Sequence, residues 1–183
     1  MMKLIMVDLD GTLVDTCQAN YKAYQAAAQP FDVSIDYAYF QQHCNGRHYK
    51  EFLPNLVGNS DDIVEQIHSA KQQIYPQYFS FIKLNAPLAD LLRTAKSQYK
   101  IALVTTASQR STTDILRAVA LDHFFDLVLT HDEIAHTKPN PEGYCKAMEY
   151  FSAAPEECMI FEDSPVGIEA ARRAGVLCFA VHA

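Results

Sequence analysis

Short apolar runs followed by polar residues recur along the chain and predict the strands of a parallel sheet. The first run covers residues 4–7 and leads directly into Asp8 and Asp10. Every position of these runs is apolar, which is typical of strands that are buried on both faces of a sheet. Later runs of the same kind cover residues 101–104, 127–129, 159–161 and 176–181.

Segments with helical spacing of apolar residues separate the later runs and predict helices between the strands. Asn140-Pro141 and Ser164-Pro165 are helix starts, each with an N-cap residue followed by a proline that suits the first helical position. Strand and helix therefore alternate over residues 84–183. This alternation predicts an α/β fold: a Rossmann-like parallel sheet with helices on both faces.

The segment between the first strand and the rest of the sheet has a different pattern. An acidic helix start at Ser60 precedes apolar residues at helical spacing, and Pro76 predicts a kink or an end of that helix. No strand pattern of any length occurs between residues 15 and 83. We therefore predict a core formed by residues 1–14 and 84–183, with an all-helical domain inserted at 15–83.

Composition and charge are those of a folded protein without a nucleic-acid-binding surface. The chain has 183 residues, of which 49% are hydrophobic and 20% charged, so a sizeable core can form. The net charge of -7 argues against a surface that binds nucleic acid. It does not exclude a small anionic substrate, because a metal ion and a few local cations can reverse the sign of the charge locally.

Cysteine usage and the absence of long apolar stretches predict a cytoplasmic location. The five cysteines are odd in number and widely spaced, which favours free thiols in a reducing compartment. Residues 1–7 are too short an apolar segment for a signal peptide. No stretch approaches the ~20 apolar residues of a membrane helix. The last predicted strand would lie at an edge of the sheet, where it can pair with a second copy of the chain or stay exposed. The expected oligomeric state is therefore a monomer or a weak dimer.

Polar residues that could take part in catalysis or ligand binding follow three of the predicted strands. Ligands of open α/β sheets bind outside the carboxyl ends of the strands, so these residues should converge on one crevice. Two acids crowded at the end of a buried strand also need a cation nearby, and a hard metal ion would serve. Lys138 adds a cation just before a helix. The residues that follow the strands are Asp8 and Asp10, Thr105 and Thr106, and Glu162 and Asp163.

Each of these residues taken alone also has an ordinary structural explanation. A threonine can be satisfied by the backbone, a lysine can be solvated, and an acidic pair can begin a helix. Together they match the transfer of a phosphoryl group to a carboxylate, with one Asp as nucleophile, another as acid and base, and a third holding Mg²⁺. The hydroxyl and the lysine would bind the phosphoryl oxygens and neutralise their charge.

Four stretches resemble the four sequence motifs of the haloacid dehalogenase superfamily. Asp-Leu-Asp-Gly-Thr at residues 8–12 resembles the first motif, and Val-Thr at 104–105 the second. Lys-Pro at 138–139 resembles the third, and Phe-Glu-Asp-Ser at 161–164 the fourth. The helical insertion after the first motif resembles the cap of the β-phosphoglucomutase-like and phosphoglycolate-phosphatase-like branch.

The resemblance implies a role for each acidic residue. Asp8 would attack phosphorus and form an aspartyl-phosphate. Asp10 would protonate the leaving oxygen and then deprotonate the attacking water. Mg²⁺ would be held by Asp8, by the backbone carbonyl of Asp10 and by Asp163, with Glu162 acting directly or through water.

The resemblance also implies the phosphoryl-binding groups. Thr105 and Lys138 would contact the phosphoryl oxygens, with Lys138 also close to Asp8. Further contacts would come from backbone N–H groups near three residues: Gly11, Thr106 and Ala107.

Three positions narrow the choice among branches of the superfamily. The dehalogenases and phosphonate hydrolases lack an acid at the position of Asp10, so its presence favours phosphate esters. A phosphonatase would also need a lysine in the inserted domain, and the spacing of Lys50 does not match. β-Phosphoglucomutases carry a histidine where this chain has Asn20, which favours water as the acceptor and leaves a phosphosugar mutase as the alternative. A non-catalytic binding protein on the same fold is disfavoured because the catalytic side chains are present.

The sequence therefore predicts a Mg²⁺-dependent phosphatase that hydrolyses a small phosphate monoester, such as a sugar phosphate. The inserted domain would act as a cap that determines selectivity. Arg47, in a polar break of that domain, is either a contact for a distal group of the substrate or a surface arginine. The sequence leaves the identity of the substrate open.

Overall fold

The computed structural model describes residues 2–47, 49–58 and 60–183. It divides into two compact units. The first is formed by the chain up to Asp15 together with Lys83–Ala183, and the second by Thr16–Ile82.

The first unit is built on a parallel sheet, as the apolar runs predict. In the described part of the chain, five strands form this sheet in the order β5-β4-β1-β6-β7, and every neighbouring pair is parallel. Two further strands, β2 and β3, form a separate antiparallel pair. The strands are β1 Leu4–Val7, β2 Val14–Asp15, β3 Lys83–Leu84, β4 Lys100–Val104, β5 Leu127–Leu129, β6 Cys158–Glu162 and β7 Leu177–Ala180.

Helices flank these strands and also form the second unit. Within the described residues they are α1 Cys17–Ala28, α2 Tyr37–His43, α3 Tyr49–Val57, α4 Asp61–Ile74, α5 Ala86–Ala95, α6 Gln109–Ala118, α7 Glu142–Tyr150 and α8 Pro165–Arg173. The predicted N-cap of α8 is confirmed, because the Ser164 side chain accepts a hydrogen bond from the Gly167 N–H at 3.0 Å. The prediction for α7 is off by one residue: the helix begins at Glu142, and Asn140 Oδ1 accepts from its N–H at 3.0 Å.

The core of the first unit explains the unbroken apolar pattern of the strands. All four residues of the central strand β1 are buried, because strands pair with it on both sides and helices cover the sheet. Edge strand β7 is different, since Leu177 and Phe179 are exposed. The buried cluster includes Leu4, Met6, Ala102, Val104, Tyr144, Ala147, Ile160, Ala170 and Ala171.

The second unit is helical, with an aromatic core. Tyr24, Phe40 and Phe52 are buried there, and the rings of Tyr24 and Phe52 make a T-shaped contact at 5.2 Å between centroids. The predicted helix end near Pro76 is confirmed, because α4 stops at Ile74 and a 3₁₀ helix, Tyr75–Phe81, continues the chain. Pro54 lies inside α3, although proline is normally excluded from the interior of a helix.

Three further expectations concern short strands, the cysteines and membrane-spanning helices. The sequence pattern indicated no strand at residues 15–83, yet Asp15 and Lys83 pair in β2 and β3; strands of two residues are too short to leave a pattern. All five cysteines are free, as their spacing predicts. Among the described residues, no helix has both the length and the apolar character needed to cross a membrane.

Candidate active site

The candidate residues lie at the carboxyl ends of β1, β4 and β6, three adjacent strands of the sheet. The Asp8 N–H donates to the Phe161 carbonyl at 3.1 Å, so the residue just after β1 is still held against β6. In the same way, the Thr105 N–H donates to the Leu129 carbonyl at 2.9 Å. Parallel pairing therefore brings residues that are distant in sequence to one edge of the sheet, as predicted.

A tight loop after β1 brings Asp163 close to the first acidic pair. Gly11 has a φ of +94°, and its N–H donates to the Val14 carbonyl at 2.8 Å. A Cβ at Gly11 would lie 2.2 Å from Asp163 Oδ2, so this position requires glycine both for its backbone angle and for the space around it. The Thr12 hydroxyl donates to Asp163 Oδ1 at 2.8 Å and fixes that carboxylate beside the loop.

Lys138 is the cation at the centre of the site. Its side chain is only 7% exposed, and its ammonium group donates to Asp8 Oδ1. The same group donates to Glu162 Oε1 at 2.6 Å and to the Val104 carbonyl at 3.1 Å. One lysine, carried on the loop before α7, therefore links the ends of three strands.

Glu162 is fully buried, and both of its carboxylate oxygens are engaged by protein donors. Oε1 accepts from Lys138 and, at 3.1 Å, from the Tyr144 hydroxyl. Oε2 accepts from the N–H groups of Asp163 at 2.9 Å and Ser164 at 3.0 Å, and from the Ser164 hydroxyl at 3.1 Å. A Cβ at Gly167 would lie 1.7 Å from Oε1, so glycine permits this approach. These contacts indicate that Glu162 chiefly orients Lys138.

Tyr144 is a component of the site that the sequence reasoning missed. It lies on α7 and is 1% exposed, its hydroxyl donates to Glu162, and its ring centroid is 5.3 Å from the Lys138 ammonium. In sequence it is an aromatic residue on the apolar side of a helix, which is the usual signal of a core position. Nothing in that pattern distinguishes a hydroxyl with a buried acidic partner.

The charges of the site are unbalanced. Burial raises the pKa of Asp8 to about 7, although the Lys138 ammonium opposes that shift. Burial alone would lower the pKa of Lys138, but the negative charge of Asp8 and the other acidic groups raises it instead. Burial also raises the pKa of Asp163. For Glu162, burial raises the pKa, but the ion pair with Lys138 outweighs burial and lowers it.

The acidic groups form a cluster that fits a hard divalent cation. One carboxylate oxygen from each of Asp8, Glu162 and Asp163 lies within 4.8 Å of the others. Carboxylate oxygens are the ligands that Mg²⁺ prefers in proteins, and a second positive group would offset the burial of three acids beside one lysine. Asp10 is half-buried, pairs with Val14 through a β-bridge, and its negative charge contributes to the raised pKa of Asp8.

The polar groups after β4 differ in their exposure and partners. The side chain of Thr105 is buried and accepts a hydrogen bond from the Ala107 N–H at 3.1 Å, whereas Thr106 is exposed. The N–H groups of Ala107 and Gly11, which were predicted to contact phosphoryl oxygens, instead donate to acceptors within the protein. Arg47 belongs to the second unit, where it follows α2 and is exposed, and its contact with a substrate stays a prediction.

Acidic residues and a buried lysine meet at the carboxyl ends of a parallel sheet, so the chain is an α/β protein with a candidate active site at that edge. The family model described as "Haloacid dehalogenase-like hydrolase" matches residues 5–181. The chain therefore belongs to the haloacid dehalogenase-like hydrolases, and the predicted resemblance is confirmed.

Individual relatives agree with this assignment over nearly the whole chain. The phosphorylated carbohydrates phosphatase of Thermotoga maritima is 29% identical, over 96% of this chain and 82% of that protein. Pyrophosphatase PpaX of Bacillus mycoides is 28% identical, over 97% of this chain and 82% of that protein. The structure of CbbY from Rhodobacter sphaeroides in complex with xylulose-(1,5)bisphosphate superposes with a TM-score of 0.84 at 25% identity, covering 100% of this chain and 87% of that one.

Proposed function

We propose that the protein is a Mg²⁺-dependent phosphatase that hydrolyses a small phosphate monoester, with sugar phosphates as the substrate class, through an aspartyl-phosphate on Asp8. The observation that carries this proposal is the buried Asp8 carboxylate, paired with Lys138 and clustered with Asp163. The phosphatase named for phosphorylated carbohydrates and the bisphosphate complex among the relatives support the substrate class.

Asp8 is the nucleophile and Asp10 the acid and base of the reaction. The Lys138 ammonium holds Asp8 Oδ1, which orients the carboxylate and favours its charged form. An oxygen of Asp8 bonds to phosphorus while the ester P–O bond breaks, and the leaving oxygen takes a proton from Asp10. Water then attacks phosphorus, gives a proton to Asp10, and releases inorganic phosphate and the free Asp8 carboxylate.

Thr105 and Lys138 bind the phosphoryl oxygens. Thr105 Oγ1 accepts the Ala107 N–H, and a hydroxyl that accepts a hydrogen bond can still donate its own proton, here to a phosphoryl oxygen. Lys138 lies close enough to Asp8 to neutralise negative charge at the reacting centre. The exposed Thr106 supplies a further polar group at the same strand end.

Asp8 and Asp163 are the side chains that would hold Mg²⁺, together with the Asp10 carbonyl. Burial raises the pKa of both carboxyl groups, and a bound cation would stabilise their charged forms. A bound Mg²⁺ supplies positive charge that stabilises the phosphoryl oxygens in the transition state. Glu162 supports the site indirectly, because its two oxygens hold Lys138 and the backbone of the next turn.

The helical unit is the cap that selects the substrate. Arg47 is its cation for a second polar or anionic group of the substrate. Water is the acceptor in preference to a second hydroxyl of the sugar. Asn20, where a mutase would carry a histidine, donates its side-chain N–H to Thr16 Oγ1 at 3.1 Å and offers no group that titrates near neutral pH. This favours hydrolysis over the mutase alternative.

The test is phosphate release from a panel of sugar phosphates, phosphoglycolate and nucleoside monophosphates, with Mg²⁺ and with a chelator. We expect activity with Mg²⁺ alone, and we expect Asp8→Asn to lower turnover by at least about 10³-fold while the protein stays folded. Asp122→Asn, at an exposed position of the same unit, is the matched control. An Asp8→Asn variant that still releases phosphate in a Mg²⁺-dependent manner would refute the assignment.

A further inference from the structure

The loop that carries Lys138 is closed by a single carboxylate, that of Glu142 at the start of α7. Glu142 Oε1 accepts a hydrogen bond from the Ala135 N–H at 2.9 Å, and Oε2 accepts one from the His136 N–H at 2.9 Å. His136 Nδ1 also lies 2.9 Å from Oε2. One side chain therefore joins the beginning of the loop to the helix that follows it.

The same carboxylate is held from the helix side. The Lys146 ammonium, one helical turn further on, lies 2.7 Å from Glu142 Oε1 and also donates to the Glu133 carbonyl at 2.7 Å. Asn140 Oδ1 accepts the Glu142 N–H at 3.0 Å. Both ends of the loop are tied to the same residue, and Lys138 lies between them.

The charge of Glu142 suits this role. The hydrogen bond from Lys146 and those from the Ala135 N–H and His136 lower the pKa of Glu142 to about 2, so the side chain is a carboxylate at any working pH. A carboxylate can accept from donors at both oxygens, whereas the amide of glutamine can accept only at one. The isosteric change to glutamine therefore removes the loop contacts of one oxygen, together with the charge that faces the Lys146 ammonium.

Lys138 depends on its loop more than the other site residues do. Asp8, Thr105 and Glu162 sit on or directly after strands, whose pairing fixes the backbone. Lys138 instead reaches Asp8 and Glu162 from an irregular segment. Misplacement of a catalytic group by about 1 Å can cost about 10²-fold in rate, so the contacts that hold this segment affect the chemistry.

We propose that Glu142 is a positioning residue for Lys138, setting the place of its ammonium group by closing the loop from residue 135 to residue 142. This inference rests on the proposed function, in which Lys138 binds the phosphoryl group. Glu142 acts through the backbone of Ala135 and His136 and does not itself touch the substrate.

The experiment compares Glu142→Gln with Glu149→Gln, the same change at an exposed position of the same helix. KM and kcat with p-nitrophenyl phosphate, the inhibition constant of inorganic phosphate, the melting temperature, and hydrogen exchange of peptides covering residues 135–140 are measured for each. For Glu142→Gln we expect faster exchange in those peptides, and a phosphate inhibition constant and a KM that both rise about tenfold, with a lower kcat. Glu149→Gln should match the wild type.

A purely structural role would change the melting temperature and the exchange rates only. A Glu142→Gln protein that keeps the wild-type KM, kcat and phosphate inhibition would therefore overturn the proposal, even if its loop exchanges faster. Should Glu142→Gln not fold, Glu142→Asp keeps the charge but shortens the side chain by one methylene, so that the carboxylate no longer spans the distance to the Ala135 and His136 N–H groups. We expect it to raise the phosphate inhibition constant about threefold, and an unchanged constant would overturn the proposal.

Failure of the proposed function has a different signature. If the wild-type enzyme hydrolyses no phosphate ester, calorimetric binding of inorganic phosphate replaces the kinetic readout. Weaker binding together with faster exchange in Glu142→Gln would still support the positioning role, whereas unchanged binding would refute it.

Discussion

The buried contacts of Glu162 make Glu162→Gln the most informative single change in the site. The glutamine has the same shape, but its amide nitrogen cannot accept a hydrogen bond. If the nitrogen takes the place of Oε2, the N–H groups of Asp163 and Ser164 lose their acceptor. If it takes the place of Oε1, the Lys138 ammonium faces a donor at 2.6 Å. Each orientation leaves buried donors without a partner.

The expected cost follows from these contacts. Each buried donor left unsatisfied costs about 1–3 kcal/mol. Removal of one partner from a buried ion pair costs about 3–5 kcal/mol when the other charge is left unpaired, but Lys138 keeps its pair with Asp8. The N–H groups of Asp163 and Ser164 both lose their acceptor when the nitrogen replaces Oε2, so we expect a total of about 3–5 kcal/mol. For a chain of this length a change of 1 kcal/mol shifts the melting temperature by about 2–4 °C. Glu162→Gln should therefore melt roughly 6–20 °C below the wild type.

The assay is thermal and urea unfolding followed by circular dichroism, with Glu156→Gln as the control at an exposed position just before β6. A melting temperature within about 2 °C of the wild type would refute the reasoning, since the contacts of Glu162 would then contribute no more than a surface ion pair does.

Three further predictions test other parts of the molecule. Gly11→Ala should lower kcat/KM at least about tenfold, because its Cβ would collide with Asp163 and because a positive φ costs a side chain about 1–2 kcal/mol. Arg47→Ala should raise KM about tenfold for substrates with a second anionic group and leave kcat unchanged. Asp126→Asn should lower stability in urea by about 1 kcal/mol at pH 7, because it weakens the hydrogen bond from the Ile101 N–H at 2.9 Å.

The effect at Asp126 has a defined pH dependence. Burial alone would raise the pKa of this carboxyl, but the hydrogen bond from Ile101 and the Lys96 ammonium outweigh burial and lower it. A group whose pKa is lower in the folded state stabilises the fold above its unfolded pKa of about 4. That contribution disappears as the pH falls through the lower folded value, so wild type and Asp126→Asn should converge in acid. A difference that persists unchanged at pH 2 would contradict this.

Each of these variants has a matched control. Gly58→Ala also places a side chain at a positive φ, but nothing lies within 4 Å of the new Cβ, so it should keep full activity. Arg117→Ala and Asp122→Asn repeat the other two changes at exposed positions of the first unit. A loss of activity in Gly58→Ala equal to that in Gly11→Ala would show that backbone strain alone explains the effect. An unchanged KM for Arg47→Ala would make Arg47 a surface residue.

The strands and the polar residues that follow them could be predicted, because the local sequence pattern determines both. A run such as residues 4–7 has no polar face to expose, so it must be buried on both sides, and polar residues that follow such runs meet at one sheet edge. The helix end at Pro76 was also predictable, since proline lacks the N–H that a continuing helix needs. The helix containing Pro54 was not, because tertiary packing of Phe52 and Leu53 overrides the local signal.

The sequence by itself determined the α/β fold, the family and the candidate residues at the strand ends, because each depends on residue types at short spacings along the chain. Only the tertiary structure decided how those residues are used. It joins Glu162 to Lys138 and Tyr144, directs the Gly11 and Ala107 N–H groups to acceptors inside their own loops, and brings Glu142 back to residues 135 and 136. The physical reason is that a side chain has several potential partners, and only the packed backbone determines which of them lies within hydrogen-bonding distance.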